Sequence, residues 1–433
     1  MIKHMRGVFR LKQHGTNIKK EVIAGLTSFF SIVYIIAVNA KILQDAGIPL
    51  EAGIIATVFS SLIGCLLVAF IANAPLIIVP GMGINALFTY TVVGSLGLNY
   101  KEALAVVIIS GILFIMVAFT KLSVILTKAI PNSLKESISV GIGIFIAFIG
   151  LQKSGLIIGN STNFVALGHL SSPVVLASII NLIMTLFLFL KKVPGNFLIS
   201  IISGTIVSWF FGIVHFSAMD TGFISFHDYQ KVFVSADFGK ITAIPFWTAA
   251  FSIVLVLVFE NIGLLHSQVN GMLEAPEKNG KSLKAISIST IICGLLGTSP
   301  SVSTVETAAG ITAGGKTGLT SIVTGLLFLS SLFFLPFIKL VPNAAIAPIL
   351  IIIGGLMLTN VVNIDFNDFT EAFPAFLVIV MIPLTYSIVD GIAFGFISYP
   401  LVKLFTNRKH QLSISTYIIS ILFLANFLLN AIG

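Results

Sequence analysis

Apolar runs follow one another almost without pause from residue 22 to residue 431, each near the roughly 20 residues that a helix needs to cross a bilayer. Spans fall at 22–42, 52–72, 74–95, 102–120, 136–152, 173–190, 195–214, 246–266, 284–298, 300–314, 318–338, 343–360, 372–389 and 391–406. A further apolar stretch at 413–431 either crosses or lies at the interface. No soluble fold accommodates such a chain, because surface facing water must be covered with polar groups. Only 9% of the 433 residues are Asp, Glu, Lys or Arg, and 57% are hydrophobic. Soluble domains carry about 25% charged residues. A mean hydropathy of +1.08 also excludes disorder and collagen-like repeats. Cys65 and Cys293 both sit inside apolar runs, so no disulfide framework is implied. The chain reads as an all-α polytopic membrane protein.

A net charge of +8 would ordinarily raise nucleic acid as a partner. Here the basic residues occupy short connectors, where they set orientation in the bilayer, and no nucleic acid is implied. Residues 1–20 carry six of them without an apolar core, as a cytoplasmic tail does and a signal peptide does not. With that tail inside, 18 of the 24 Lys and Arg residues fall on the inner side. This bias supports about 14 crossings of a cell (inner) membrane, with a cytoplasmic N-terminus.

The halves also repeat each other. Phe30-Ser31-Ile32-Val33 recurs as Phe251-Ser252-Ile253-Val254, and Ser110-Gly111-Ile112-Leu113-Phe114 is echoed by Thr324-Gly325-Leu326-Leu327-Phe328. Ile130-Pro131-Asn132 is echoed by Val341-Pro342-Asn343. Seven spans per copy force the second copy to be inverted, a 7+7 plan used by many secondary transporters. The expected organisation is a tail at 1–20, a first seven-span repeat at 21–214 and an extracellular or periplasmic connector at 215–244. A second repeat at 245–406 and a C-terminal segment at 407–433 complete it.

Of sixteen acidic residues, only Glu260 and Glu306 fall at membrane depth. An Asp carboxylate at the centre of a spanning helix costs about 2.5–3.5 kcal/mol on insertion scales. No Lys, Arg or His lies at comparable depth to pair with either residue, so both are candidates for function. Each also has a plainer explanation. Glu260, in Val258-Phe259-Glu260-Asn261-Ile262-Gly263, could be a protonated side chain bonding a neighbouring helix. Ser303-Thr304-Val305-Glu306 fits an S-x-x-E capping box, so Glu306 could merely close a helix start.

Helix is interrupted twice at this depth. Thr298-Ser299-Pro300-Ser301-Val302-Ser303-Thr304-Val305 is polar and β-prone, and Pro300 removes a donor. In the first half, Ala74-Pro75-Leu76-Ile77-Ile78-Val79-Pro80 is a β-branched run, after which Gly81-Met82-Gly83-Ile84-Asn85-Ala86 starts a helix. The pattern predicts two half-helices, each preceded by a short extended strand; two proline-kinked helices are the alternative. Irregular backbone at membrane depth must be buried in protein or line a cavity. Two antiparallel strands would satisfy each other and leave half-helix N–H groups, those of Thr307 and Ala308 among them, for a carbonyl or anionic oxygen. Phe88 and Phe259 lie near enough to stack on a planar ligand. The histidines show no metal-ligand spacing, and no cofactor, ATPase or nucleophile motif is present. The chain is therefore expected to be no enzyme, to need no cofactor, and to transport passively or by ion coupling.

Several runs resemble one family. They are Ala24-Gly25-Leu26-Thr27, Pro80-Gly81-Met82-Gly83-Ile84-Asn85-Ala86, the glycine-punctuated helix Gly141 to Gly150, Glu306-Thr307-Ala308-Ala309-Gly310, Gly314 to Thr320 and Asp390 to Tyr399. They look like the nucleobase–ascorbate transporters, nearest the AzgA-like hypoxanthine/guanine/adenine permeases, over roughly 19–406. The resemblance implies a 7+7 inverted repeat with core and gate domains and purine nucleobase uptake by proton symport. Hypoxanthine, guanine, adenine and xanthine are the candidate bases. It assigns substrate contacts to Glu260, Glu306, Gly83 and Asn85. The eighth span departs from the branch pattern D-x-x-D-T-x-G-T, carrying Leu257, Glu260, Asn261, Gly263 and Leu264 instead. Glu at this place is more like the uracil and xanthine permeases, whereas Leu264 stands where the uracil permeases carry a histidine. The base itself is left open. Glu260 is expected to carry the coupled proton as well as touch the base. A uracil-type permease and a sulfate-type anion carrier of the same fold are the rivals, the latter lacking a cation at the site. Expected partners are a purine nucleobase, protons and the lipid bilayer, with a homodimer among the open assemblies.

Overall fold

The computed structural model describes residues 9–120, 131–215 and 226–432. Residues 1–8 of the tail, Ile130 of the repeat and residues 216–225 of the connector lie outside them. Among the described residues nine helices are long and apolar enough to cross a membrane.

The helices of the first half are α1 (Ile18–Ile32), α2 (Ile35–Asp45), α3 (Leu50–Ala72), the short α4 (Met82–Ala86), α5 (Tyr100–Phe119), α6 (Asn132–Lys153), α7 (Pro173–Leu190) and α8 (Asn196–Phe210). The second half supplies α9 (Ile244–Leu265), α10 (Asn279–Leu296), the short α11 (Thr307–Thr312), α12 (Gly318–Ser330), α13 (Asn343–Leu358), α14 (Phe369–Thr385), α15 (Ile388–Phe405) and α16 (Ile414–Ile432). Local chemistry sets several starts. Asn17 caps α1 through Lys20 N–H, and Asn99 with Glu102 forms a reciprocal capping box at α5.

Three departures from the sequence pattern matter. The first span, expected as one helix over 22–42, breaks at Val33–Tyr34 into α1 and α2. Both residues keep helical dihedrals, so the chain tightens at this point and does not unwind. The span expected at 318–338 is interrupted after Ser330 by a tight 3-10 turn over Ser331–Phe334 and finishes as a short α-helix over Leu335–Lys339. A hairpin of β2 (Ile157–Asn160) and β3 (Phe164–Leu167) follows α6, where nothing in the hydrophobic spacing signals a strand.

The helices pack as two bundles. In the first, α10 packs on α5 and α3, α12 on α3 and α1, α2 on α3, and α9 on α5. In the second, α13 packs on α6, α7 and α8, α14 on α6 and α15, and α16 on α15. Small residues permit the closest approach: Gly143 of α6 faces Gly354 of α13, and a Cβ on either would run into the other helix's backbone. In a bilayer, where apolar side chains gain little by leaving lipid, such backbone approach is what holds helices together.

The bundles are joined at one end. Lys153 Nζ, in the last turn of α6, donates to Asp45 Oδ2 at the end of α2 at 2.6 Å. Tyr90 OH donates to the same oxygen at 2.7 Å, and its ring meets Phe145 of α6 edge-on. Ser95 Oγ donates to Tyr386 O at 3.2 Å, and Ile388 N–H to Thr91 Oγ1 at 2.9 Å.

Candidate functional site

Two extended pieces meet inside the first bundle. Strands β1 (Ile78–Pro80) and β4 (Ser301–Ser303) pair antiparallel, with Ile78 opposite Ser303 and Pro80 opposite Ser301. All six residues are buried. Gly81 follows β1, and a Cβ there would meet Val302 Cγ2 at 2.5 Å, so only glycine lets the strands approach. From this crossing α4 leaves at Met82 and widens into a π-helix over Leu87–Ser95, while α11 leaves at Thr307.

The irregular backbone around the crossing is satisfied by side chains, as burial requires. Ser321 Oγ, on α12, lies 2.8 Å from Ala74 O and 2.7 Å from Leu76 O. Thr307 Oγ1 accepts from Ile77 N–H at 3.1 Å. Behind the strands, Asn39 Nδ2 donates to Thr57 Oγ1 at 2.7 Å and Thr298 Oγ1 at 3.2 Å.

The helix carrying Glu260 is fastened to the crossing. Asn261 Oδ1 accepts from Ser303 N–H at 3.0 Å. Gln268 lies in the π-helical extension of α9 at His266–Met272. Its Nε2 donates to Thr304 O at 2.7 Å, and its Oε1 accepts from Ser303 Oγ at 2.6 Å. Glu260 is partly buried, and no described residue bonds to its carboxyl.

Glu306 precedes α11 and is partly buried beside the exposed Val305. Its Oε1 accepts from Tyr34 OH at 2.5 Å. The S-x-x-E capping box does not form: α11 has no side-chain cap bond, Ser303 belongs to β4 and its hydroxyl goes to Gln268. The N–H groups of Thr307 and Ala308, expected to be free, donate to Thr304 O at 3.0 Å and Val305 O at 3.1 Å in the turn leading into α11. That correction removes them as open donors in this conformation.

On the α4 side, Asn85 is fully buried, and neither of its side-chain polar atoms has a partner among the described residues. Gly83 is buried too, and a Cβ there would meet Ile142 Cγ2 of α6 at 3.0 Å. Phe259 is partly buried, whereas Phe88 is fully buried and offers no face to a ligand in this conformation. The two partly buried carboxyls are acceptors suited to N–H donors on a polar ring edge, whereas Asn85 is as deeply buried as Phe88 and the Tyr34 hydroxyl is already committed to Glu306. Among the described residues no three His, Cys, Asp or Glu side chains form a metal-binding group.

Tyr34, Asn39 and Gln268 were not singled out from the sequence. Asn261 and Gln268 sit two helical turns apart on one face of an apolar helix, a spacing that could have exposed them. Tyr34 in Val33-Tyr34-Ile35 carries no such mark.

Residues 19–394 match the family model Xan_ur_permease, a permease family. The chain is 49% identical over 386 residues, 88% of its length and 77% of the relative's, to "Nucleobase transporter PlAzg2" of Paenibacillus larvae. It is 39% identical to "Guanine/hypoxanthine permease PbuO" of Bacillus subtilis, covering 96% of this chain and 98% of that one. Among solved structures, the transmembrane domain of the cyanobacterial bicarbonate transporter BicA superposes with a TM-score of 0.65. That likeness covers 87% of this chain and 97% of the other at 18% identity, and speaks to fold alone.

Proposed function

Because this chain belongs to the Xan_ur_permease family, the nucleobase–ascorbate transporters, we propose that it is a secondary carrier importing purine nucleobases with protons. The protein is a transporter and not an enzyme. The names of its relatives favour nucleobases, and the Bacillus subtilis permease is named for guanine and hypoxanthine. Its 14 spans would form a 7+7 inverted repeat in the cell membrane with the N-terminus inside. The first bundle is the core and the second the gate.

One observation carries the proposal: Asn261 and Gln268 bind the Glu260 helix to the strand and turn that deliver Glu306. A base held at that crossing would present ring N–H groups to both carboxyls. A purine such as guanine offers N1–H and the 2-amino group side by side, and a carboxylate accepts two such donors at once. Glu260 takes that edge, while Glu306 takes a single donor from the α11 side. Asn85, with both polar atoms unpartnered, completes the polar lining from α4. The core then moves against the gate to expose the site to one side at a time.

The direct test is uptake of labelled hypoxanthine by cells expressing the protein, competed by unlabelled purines, uracil, bicarbonate and sulfate. Competition by purines alone is expected. Competition by bicarbonate or sulfate, with purines inert, would return the chain to anion transport. Competition by uracil in preference to purines would reassign the base class.

A further inference from the structure

We propose that Tyr34 is a positioning residue for Glu306, fixing one carboxylate oxygen and linking it to the second bundle. The inference rests on the reading of Glu306 as a substrate contact. Tyr34 stands at the break between α1 and α2 and is 2% exposed. A tyrosine this deep needs a partner for its hydroxyl, since a buried unbonded O–H is costly. The O–H goes to Glu306 Oε1 at 2.5 Å, across 272 residues of chain. The ring packs edge-on against Phe197 of α8, with centroids 4.9 Å apart and planes at 70°. Phe197 in turn stacks on Phe189 of α7, so the ring rests on the second bundle. One side chain thus touches the candidate substrate carboxylate at its hydroxyl and the opposing bundle at its ring.

Two consequences follow from the chemistry. With Oε1 held by Tyr34, Glu306 has only Oε2 left for a substrate and would take one N–H donor, which leaves the two-donor edge to Glu260. The carboxylate also enters binding already oriented, so the base does not have to order it. Removing only the hydroxyl frees Glu306 to rotate while the ring stays on Phe197. Such a loss acts on substrate affinity more than on turnover.

The test is Tyr34→Phe, compared with Glu306→Gln in the same membranes, with protein abundance measured for each. Tyr34→Phe should reach wild-type abundance and raise KM for hypoxanthine about tenfold, as expected for a bond to a charged group, with Vmax within about twofold. A tyrosine that merely fills space would tolerate phenylalanine, so an unchanged KM overturns the inference. So does a Tyr34→Phe protein that fails to reach the membrane, because positioning predicts normal abundance. If Glu306→Gln abolishes uptake while Tyr34→Phe is unaltered, this inference alone falls. If Glu306→Gln transports as wild type, the site reading beneath it falls too.

Discussion

Glu306 and Asn85 face the same problem in opposite ways. Glu306 has an internal donor in Tyr34, whereas Asn85 has none among the described residues. Glu306→Gln keeps the shape and an acceptor oxygen for Tyr34 but loses the charge. It should fold, insert and lose nearly all uptake, because a neutral amide is a weak substitute for a charge-assisted acceptor. Uptake at the wild-type rate would leave Glu306 as a structural partner of Tyr34. A buried polar group without a partner costs about 1–3 kcal/mol, a cost Asn85 bears in the substrate-free protein. Asn85→Ala should therefore leave thermal stability undiminished while weakening apparent purine affinity more than threefold, near the loss of one net hydrogen bond of about 0.5–1.5 kcal/mol. Unchanged affinity across a purine series would take Asn85 out of the site. The carboxyls stood out in the sequence because charge at membrane depth is costly and these two had no cationic neighbour. Tyr34 did not, since an aromatic in an apolar run looks like packing until its hydroxyl is seen to have somewhere to go.

At the scale of elements, the crossing depends on side chains that replace missing backbone partners. Pro75, Pro80 and Pro300 mark the chain where helix must stop, and the β-branched residues between them favour extension, so the interruptions were legible. The break inside the first span was not, because Ile32, Val33 and Tyr34 keep the hydropathy and the dihedrals of helix. The β2–β3 hairpin and the π-helical extension of α9 were hidden for a like reason: hydropathy reports burial in lipid, not the pairing of backbone groups. Gln268 lies on that extension and is 2% exposed. Gln268→Leu would leave Ser303 Oγ buried without a partner and Thr304 O with Thr307 N–H alone. It should cost about 1–3 kcal/mol, the penalty of one unsatisfied buried group. The check is a fall in the melting temperature of the detergent-solubilised protein, together with loss of uptake. Undiminished stability would mean that β1 pairing and the Asn261 bond hold β4 in place without Gln268.

Across the whole molecule, coupling a proton to a base requires that the site and its carboxyl meet each side of the membrane in turn. The Glu260 carboxyl bonds to no described residue and lies on the uninterrupted α9, so on the proposed proton symport it is the candidate to take and release the proton. Glu260→Gln, which mimics permanent protonation, should lose accumulation against a gradient and acid stimulation of uptake while keeping some base exchange. Concentrative, acid-stimulated uptake in that variant would move proton coupling elsewhere. Alternation itself needs the joined end of the two bundles to part. On the proposed topology, with the N-terminus inside, that end would face outward. Opening it breaks Lys153–Asp45 at 2.6 Å, Ile388–Thr91 at 2.9 Å and Ser95–Tyr386 at 3.2 Å, and pulls Tyr90 off Phe145. The ion pair is partly wet, with side-chain exposures of 11% and 38%, so it contributes about 0.2–1 kcal/mol. A latch that weak suits a carrier, since a stronger one would trap a single state. Thr91 is fully buried in the seam, and Thr91→Cys reports on opening with little change of shape. The native Cys65 and Cys293 are buried in the helices behind it. Adding Lys153→Met to Thr91→Cys should raise its labelling by an impermeant maleimide applied from outside, up to about fivefold. An unaltered rate would mean that the aromatic contacts, and not the ion pair, keep the outer end shut.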